Sequence, residues 1–343
     1  MKTQKIKISK NSKPLIVAEV GQSHEGKIKN VFKNIDLISK TGADVVKFQT
    51  HYADEESTLD EPFRKKSSIK VKSRIEYWRK MEFSEGDWKK IKKYCEKKNL
   101  IFLSSPFSLK AIKVLRKIGM KFWKIGSGEF FSNDMLEALD KLNQTVILST
   151  GLSTYIDINK QLKFFKNKKK IILMQCTSEY PSNLKSIGIE NIKKLREKYN
   201  VHTGLSDHSG KIGPALMALS LGAKIIEIHF KINENKNNLD KDASLNFNQL
   251  KLLCELRDEI HILQTNKVNK NILSKEQKKN KRIFTKSASL FKEKKKNEIL
   301  RKKDILFKKP GYGIKYNELN LIIGKKFKIN KKSNKLLKWS DLS

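Results

Sequence analysis

Leu15-Ile16-Val17-Ala18-Glu19-Val20-Gly21-Gln22-Ser23-His24-Glu25-Gly26 is the stretch that decides the fold. Its first four residues form an apolar run of strand length. In an open doubly wound sheet such a first strand would lead into a GxGxxG turn; here it leads into a carboxylate, a short polar segment and a histidine. Seven further runs of the same kind follow along the chain. They are Val45-Val46-Lys47-Phe48, Ile101-Phe102-Leu103, Phe122-Trp123-Lys124-Ile125, Thr145-Val146-Ile147-Leu148, Ile171-Ile172-Leu173-Met174, Val201-His202-Thr203-Gly204-Leu205 and Ile225-Ile226-Glu227-Ile228. Helix-like, Lys-decorated segments lie between them. Strands alternating with amphipathic helices imply parallel βαβ units, and eight of them in about 230 residues fit the size of a (β/α)8 barrel.

At 343 residues the chain is too long for a peptide hormone or a lone binding module, and 38% hydrophobic residues suffice for a sizeable core. The pattern changes after Glu255-Leu256-Arg257-Asp258-Glu259-Ile260 into an Asn/Lys-rich stretch. The expected organisation is therefore a catalytic barrel over 1–264, a linker over 265–282 and a small domain over 283–343, with a turn at Pro310-Gly311-Tyr312-Gly313. A module this small sits near the lower limit for independent folding, so it is expected to lean on the barrel or on a partner chain.

Lys and Arg number 74 against 36 Asp and Glu, a net charge of +38, which puts nucleic acid forward as a partner. Only eight of the 74 are Arg, and the lysines are dispersed rather than gathered in a basic arm. Dispersed Lys reads as a solvated face, so no dedicated nucleic-acid partner is expected. Cys95, Cys176 and Cys254 are far apart and contain no CxxC pair, which implies neither a disulfide framework nor a zinc site. The segment from Met1 to Ile6 lacks the features of a signal sequence, and no apolar run is long enough to span a membrane. A cytoplasmic protein without a membrane partner is expected.

Barrel active sites occupy the face at the carboxyl ends of the strands, and polar residues are dense there. The first strand supplies Glu19, the second Lys47 and Gln49, the third Ser105, and the fourth Lys124, Ser127 and Glu129. The fifth supplies Ser149, the sixth Ser178 and Tyr180, the seventh Ser206 and His208, and the eighth Glu227 and His229. Two lysines on barrel strands with hydroxyls nearby suit a small molecule carrying phosphate and carboxylate; lysines snorkelling from a barrel end are the other reading. His208 and His229, ending adjacent strands, suit a divalent metal. They read equally as buried structural histidines. Glu227 shares a strand face with His229 and is placed to orient bound water. Glu19 and Glu129 are placed to bind sugar hydroxyls or move protons, or to pair with Lys47 or Lys124.

These residues resemble those of the N-acetylneuraminate (sialic acid) synthase family, whose members join a metal-binding (β/α)8 barrel to a C-terminal antifreeze-like, or SAF, domain. The resemblance runs through Ala18–Gly26, Gly42-Ala43-Asp44-Val45-Val46-Lys47-Phe48-Gln49, Ser105-Pro106-Phe107 and Lys124-Ile125-Gly126-Ser127-Gly128-Glu129. It continues through Leu148-Ser149-Thr150-Gly151, Cys176-Thr177-Ser178-Glu179-Tyr180-Pro181, Gly204-Leu205-Ser206-Asp207-His208, Gly222–Phe230, and Asp240 with Ala243-Ser244-Leu245. Pro310-Gly311-Tyr312-Gly313-Ile314 and Leu321-Ile322-Ile323-Gly324-Lys325-Lys326 resemble the antifreeze-like module.

The resemblance implies a nonulosonic acid synthase. It would condense phosphoenolpyruvate with an open-chain N-acetylated hexosamine, N-acetylmannosamine first, and water, to give a sialic acid and phosphate. The alternative sugar is a 2,4-diacetamido hexose, giving legionaminic or pseudaminic acid. A remoter alternative is an inactive barrel that binds polyanions. The resemblance further implies Mn2+, or else Mg2+ or Co2+, on His208 and His229. Phosphoenolpyruvate would lie on Lys47, Ser105, Lys124, Ser127, Ser149, Ser178 and Ser206, and the sugar on Gln49, Tyr180, Asp240 and Lys309. Glu19, Glu129 and Glu227 are left as the catalytic carboxylates.

The family's small domain also implies a domain-swapped homodimer in which Lys309 replaces the usual Arg. Further departures are Ser23 for Asn, Ile228 for the Lys before the second histidine, and Lys241 after Asp240.

Overall fold

The computed structural model describes residues 8–9, 11–63, 71–232 and 239–343. The segment from Met1 to Ile6, read above as free of a signal sequence, lies outside them. The chain divides into two compact units, Met1–Asn266 and Lys267–Ser343.

In the first unit the strand–helix alternation runs in order. β1 (Leu15–Glu19), α1 (Ile28–Ile38), β2 (Val45–Thr50), α2 (Ala53–Glu56), α3 (Arg74–Met81) and α4 (Glu85–Lys97) open the chain. β3 (Ile101–Pro106), α5 (Leu109–Lys117), β4 (Phe122–Ile125), α6 (Asn133–Leu142), β5 (Thr145–Ser149) and α7 (Tyr155–Gln161) follow. β6 (Ile171–Cys176), α8 (Asn191–Tyr199), β7 (His202–Asp207), α9 (Gly213–Ser220), β8 (Ile225–Phe230), the short β9 (Ser244–Leu245) and α10 (Phe247–Thr265) complete it.

The parallel strands pair in the order β3-β2-β1-β8-β7-β6-β5-β4. β3 and β4, the two ends of that order, lie side by side and bring the sheet round to a nearly closed barrel. β9 adds beside β8 through Ser244 opposite His229.

Strand alternation sorts the side chains into two cores. Ile16, Ala18, Val46, Phe48, Trp123, Leu148, Leu173, Leu205, Ile226, Ile228 and Phe230 face outward and pack under the helices. Val17, Val45, Leu103, Ile147, Ile172, Met174 and Ile225 fill the barrel interior. Further along each strand, toward its carboxyl end, the inward positions turn polar: Glu19 after Val17, Lys47 after Val45, Ser105 after Leu103, Ser149 after Ile147, and Glu227 and His229 after Ile225. Gly204 is required by this packing, because a Cβ there would lie 2.4 Å from the Ile225 carbonyl oxygen.

The second unit opens with α11 (Lys275–Phe284) and contains the antiparallel pair β10 (Ser287–Leu290) and β11 (Ile305–Lys308). Its own core consists of Ala288, Leu290, Leu300, Ile314, Leu319, Ile322, Phe327, Leu337 and Leu342.

The stretch 265–282 is therefore not plain linker: α11 occupies its second half. The helix is seeded by a reciprocal cap in which Ser274 accepts from the Gln277 N–H and Gln277 accepts from the Ser274 N–H. It buries no side chain, so it carries no apolar stripe by which the sequence could announce it.

Candidate active site

The carboxyl ends of the strands surround a cavity of about 520 Å³. Glu19, Lys47, Gln49, Ser105, Lys124, Ser127, Glu129, Ser149, Ser178, Tyr180, Ser206, His208, Glu227, His229 and Asp240 all line it. Only Lys309, among the residues singled out from the sequence, lies in the second unit, where it is exposed with its Nζ 5.7 Å from the Phe284 ring centre.

The register explains the convergence. Glu19 lies opposite Lys47 on one side and His229 on the other, and Ser206 lies opposite Glu227. Lys47 Nζ is 2.7 Å from Glu19 Oε2 and 3.8 Å from Glu227 Oε1, and it donates to Ser105 Oγ at 3.3 Å. Lys124 Nζ is 3.3 Å from the same Glu227 oxygen, which also accepts from Ser206 Oγ at 3.2 Å.

Glu19 thus does pair with Lys47, and neither lysine snorkels: both are buried. Burial alone would lower the Lys47 ammonium, but Glu19 and Glu227 outweigh it and hold the ammonium above the ordinary lysine value. For Glu227, burial works to raise the carboxyl, yet Lys124 and Lys47 hold it below the usual carboxylate range. The floor is therefore a buried network of two lysines and two glutamates in mutual contact.

A second group of side chains forms a small polar cradle. A Cβ placed on Gly151 would meet Ser178 Oγ at 2.5 Å and both Cys176 Sγ and Ser127 Oγ at 2.9 Å. Glycine is what lets these groups converge. Ser149 Oγ is buried and has no hydrogen-bond partner among the described residues, which leaves a donor ready for a ligand. Glu129 lines the same cavity, and burial pushes its carboxyl up to about 7.

His208 and His229 lie with ring centres 5.3 Å apart, beside Tyr180. His208 Nδ1 lies 2.8 Å from the Thr177 carbonyl oxygen. A carbonyl only accepts, so Nδ1 carries the proton and the Nε2 lone pair is exposed, the orientation seen in metal-ligating histidines. Burial lowers the pKa of both imidazoles, keeping them neutral and able to ligate. His229 Nδ1 faces Asp240 Oδ2 at 3.8 Å. No group of three or more His, Cys, Asp or Glu gathers into a metal-binding set among the described residues. The donors fit a divalent ion held by two imidazoles, with its other positions left to water or substrate.

Several lining residues were given no site role by the sequence reading. Cys176 continues the inward alternation of β6. Gln22, Glu61, Pro62, Arg74, Trp78 and Phe107 come from loops and from α3, where no strand-end rule applies. His51 stands behind the wall: its Nε2 lies 3.3 Å from Gln49 Oε1 and its Nδ1 2.6 Å from Glu56 Oε1. This fixes the Gln49 amide so that its nitrogen donates to Glu19 at 3.1 Å. Of the departures, Ile228 faces the outer core, and Lys241 is exposed beside Asp240. Neither lines the cavity.

A barrel with a charged, hydroxyl-lined cavity and two convergent imidazoles defines a small-molecule enzyme scaffold of the α/β class. Comparison with known proteins narrows it. The NeuB family profile matches residues 34–270. The N,N'-diacetyllegionaminic acid synthase of Campylobacter jejuni is 32% identical, over 95% of this chain and 99% of that one. A pseudaminic acid synthase of the same species is 29% identical, over 96% of this chain and 97% of its own. Among solved structures, the N-acetylneuraminic acid synthetase of Leptospira borgpetersenii superposes with a TM-score of 0.68 at 27% identity, over 79% of this chain and 90% of that one. The chain belongs to the NeuB family. No helix among the described residues is long and apolar enough to cross a membrane.

Proposed function

We propose that the chain is a nonulosonic acid synthase that condenses phosphoenolpyruvate with a 2,4-diacetamido hexose and water, giving a legionaminic- or pseudaminic-type 2-keto acid and phosphate. The observation that carries this reading is the joint lining of one cavity by the lysine–carboxylate floor, the Gly151 cradle and the two imidazoles. The legionaminic and pseudaminic relatives favour the diacetamido sugar. The Leptospira structure supports a second reading, with N-acetylmannosamine as the sugar.

In this reading Lys47, Ser149, Ser178 and Ser206 hold the phosphate, and Ser105, Lys124 and Ser127 the carboxylate, with the lysines exchanging Glu19 and Glu227 for the substrate anion. Gln49, Tyr180 and Asp240 face the sugar. Carbon 3 of phosphoenolpyruvate attacks the aldehyde carbon, whose oxygen gains a proton. Water adds at carbon 2, and the tetrahedral product expels phosphate by cleavage of its carbon–oxygen bond. Glu129, half protonated near neutrality, is suited to move one of these protons, and Glu19 and Glu227 to orient the water. His208 and His229 would hold a divalent ion, Mn2+ before Mg2+ or Co2+, which when bound polarises the aldehyde as a Lewis acid. The second unit is proposed to be of the antifreeze-like type and to bring Lys309 to the barrel of the second protomer in a homodimer.

The test is phosphate release from phosphoenolpyruvate with Mn2+, offering both diacetamido sugars, N-acetylmannosamine and its 6-phosphate, beside a His208→Ala/His229→Ala control. Release with a diacetamido sugar, abolished in the control, is the expected result. Silence with every sugar in folded, metal-loaded protein overturns the reaction, and release with N-acetylmannosamine alone overturns the choice of sugar.

A further inference from the structure

Arg74 opens α3 behind the Ser73 cap, with Trp78 one turn later on the same face. Its guanidinium carbon lies 4.1 Å from the Trp78 ring centre, and the residue is only 9% exposed. Even so, Nη1 has no hydrogen-bond partner among the described residues, and Nε reaches only Glu61 Oε1, at 3.4 Å. A buried guanidinium with unused donors is unfavourable unless something else occupies them.

The stack continues beyond Trp78. His51 lies 4.1 Å from the Trp78 ring centre, and Phe107 lies 4.4 Å from His51 on centre-to-centre distances. Arg74, Trp78, Phe107, Pro62 and Leu152 all line the cavity that holds Lys47 and His208. The cavity therefore combines a charged floor with an aromatic and aliphatic wall that ends in a guanidinium whose Nη1 donor is unused among the described residues.

Glu61 decides what this cation takes. Its carboxylate, beside Arg74, accepts from Trp78 Nε1 at 2.9 Å and lines the same cavity. A phosphorylated sugar would meet that negative charge, whereas a neutral carbonyl oxygen would not. A hydroxyl would satisfy Arg74 but leave the apolar wall in contact with water; a methyl group would cover it. One substituent brings both a carbonyl and a methyl.

We infer that Arg74 and the Trp78–Phe107 wall form a subsite for the second acetamido group of a 2,4-diacetamido hexose, with the guanidinium donating to its carbonyl oxygen and the wall packing on its methyl. The inference rests on the sugar class proposed above and makes Arg74 the residue that selects it. Glu61 adds discrimination against a sugar phosphate.

Steady-state kinetics of the wild type, Arg74→Ala and Arg74→Lys test it, with melting curves confirming that the variants fold. For Arg74→Ala, kcat/KM with the diacetamido sugar should fall about tenfold or more, the effect of losing a charged donor to a buried carbonyl. The KM for phosphoenolpyruvate and any turnover of N-acetylmannosamine should stay within about twofold, because neither ligand reaches the subsite. Arg74→Lys should recover only part of the loss, since an ammonium keeps the charge without the fork. Parallel losses with both sugars, a raised KM for phosphoenolpyruvate, or a preference for N-acetylmannosamine 6-phosphate would overturn it.

If no sugar supports phosphate release, the reaction proposed above fails and the subsite is read separately by saturation-transfer NMR. Saturation of both acetamido methyls in the wild type, with one lost in Arg74→Ala, upholds the subsite. Equal saturation in the two proteins refutes it.

Discussion

Glu129 shows how one position in this cavity is tuned. Burial disfavours its charged form and raises the carboxyl to about 7, with Glu56 adding to the rise while Lys124 and Lys47 oppose it. The folded-state value is above the unfolded one, so the associated stability is complete below about 4.5 and is lost as pH rises through about 7. A Gln at this position has nothing to titrate. The melting temperature of Glu129→Gln relative to the wild type should therefore climb between about pH 5 and pH 8, as only the wild type becomes charged there. A difference that stays flat across that interval would show that Glu129 ionises at its ordinary value. Lys47 and Glu227 present the opposite case, since each is held charged by the other and by its neighbours. Their charges were foreseeable from mid-strand placement, because a lysine or glutamate at an inward barrel position needs a counter-ion. Arg74 was not, because a helix outside the strand alternation gives no rule for which of its residues reaches the cavity.

At the level of single elements, β7 and β8 show why most of the fold was legible and where it was not. Leu205, Ile226 and Ile228 face outward while Ser206, Glu227 and His229 face inward, so the period of two that marks the strands also assigns each side chain to core or site. The same alternation places Ile228, a departure from the family pattern, away from the cavity. α11 and the wall formed by α3 carry no such signal: the first buries nothing, and the second sits in an excursion between β2 and β3. Gly204 is the tightest point of the β7–β8 pair. Adding a methyl there pushes against main chain rather than against a movable side chain, so Gly204→Ala should destabilise the barrel by about 1–3 kcal/mol. Urea unfolding followed by Trp fluorescence measures it; an unchanged midpoint would mean that the ladder widens freely. Because Ser206 and Glu227 pair across this same ladder, the variant should also lose the proposed synthase activity before it loses its fold.

The whole molecule carries a net charge of +38. Exposed pairs such as Lys117–Glu85, Lys193–Glu197, Lys194–Glu190 and Lys251–Glu255 offset part of it. Each such pair is worth about 0–1 kcal/mol and is itself weakened by salt. With 74 cations and only 36 acids, one-to-one pairing leaves an excess of 38 cations. Repulsion should therefore outweigh attraction over the surface as a whole, and screening should stabilise the fold. Raising NaCl from about 20 to about 300 mM shortens the Debye length from about 20 Å to about 6 Å and should raise the melting temperature. A fall would mean that surface pairs dominate after all. Duplex DNA measured over the same salt series separates general attraction from recognition: binding that collapses with salt is the counterion-release behaviour of a dispersed lysine surface. Sequence-selective binding that persists at the upper salt level would instead make the polyanion-binding reading of this barrel the one to pursue.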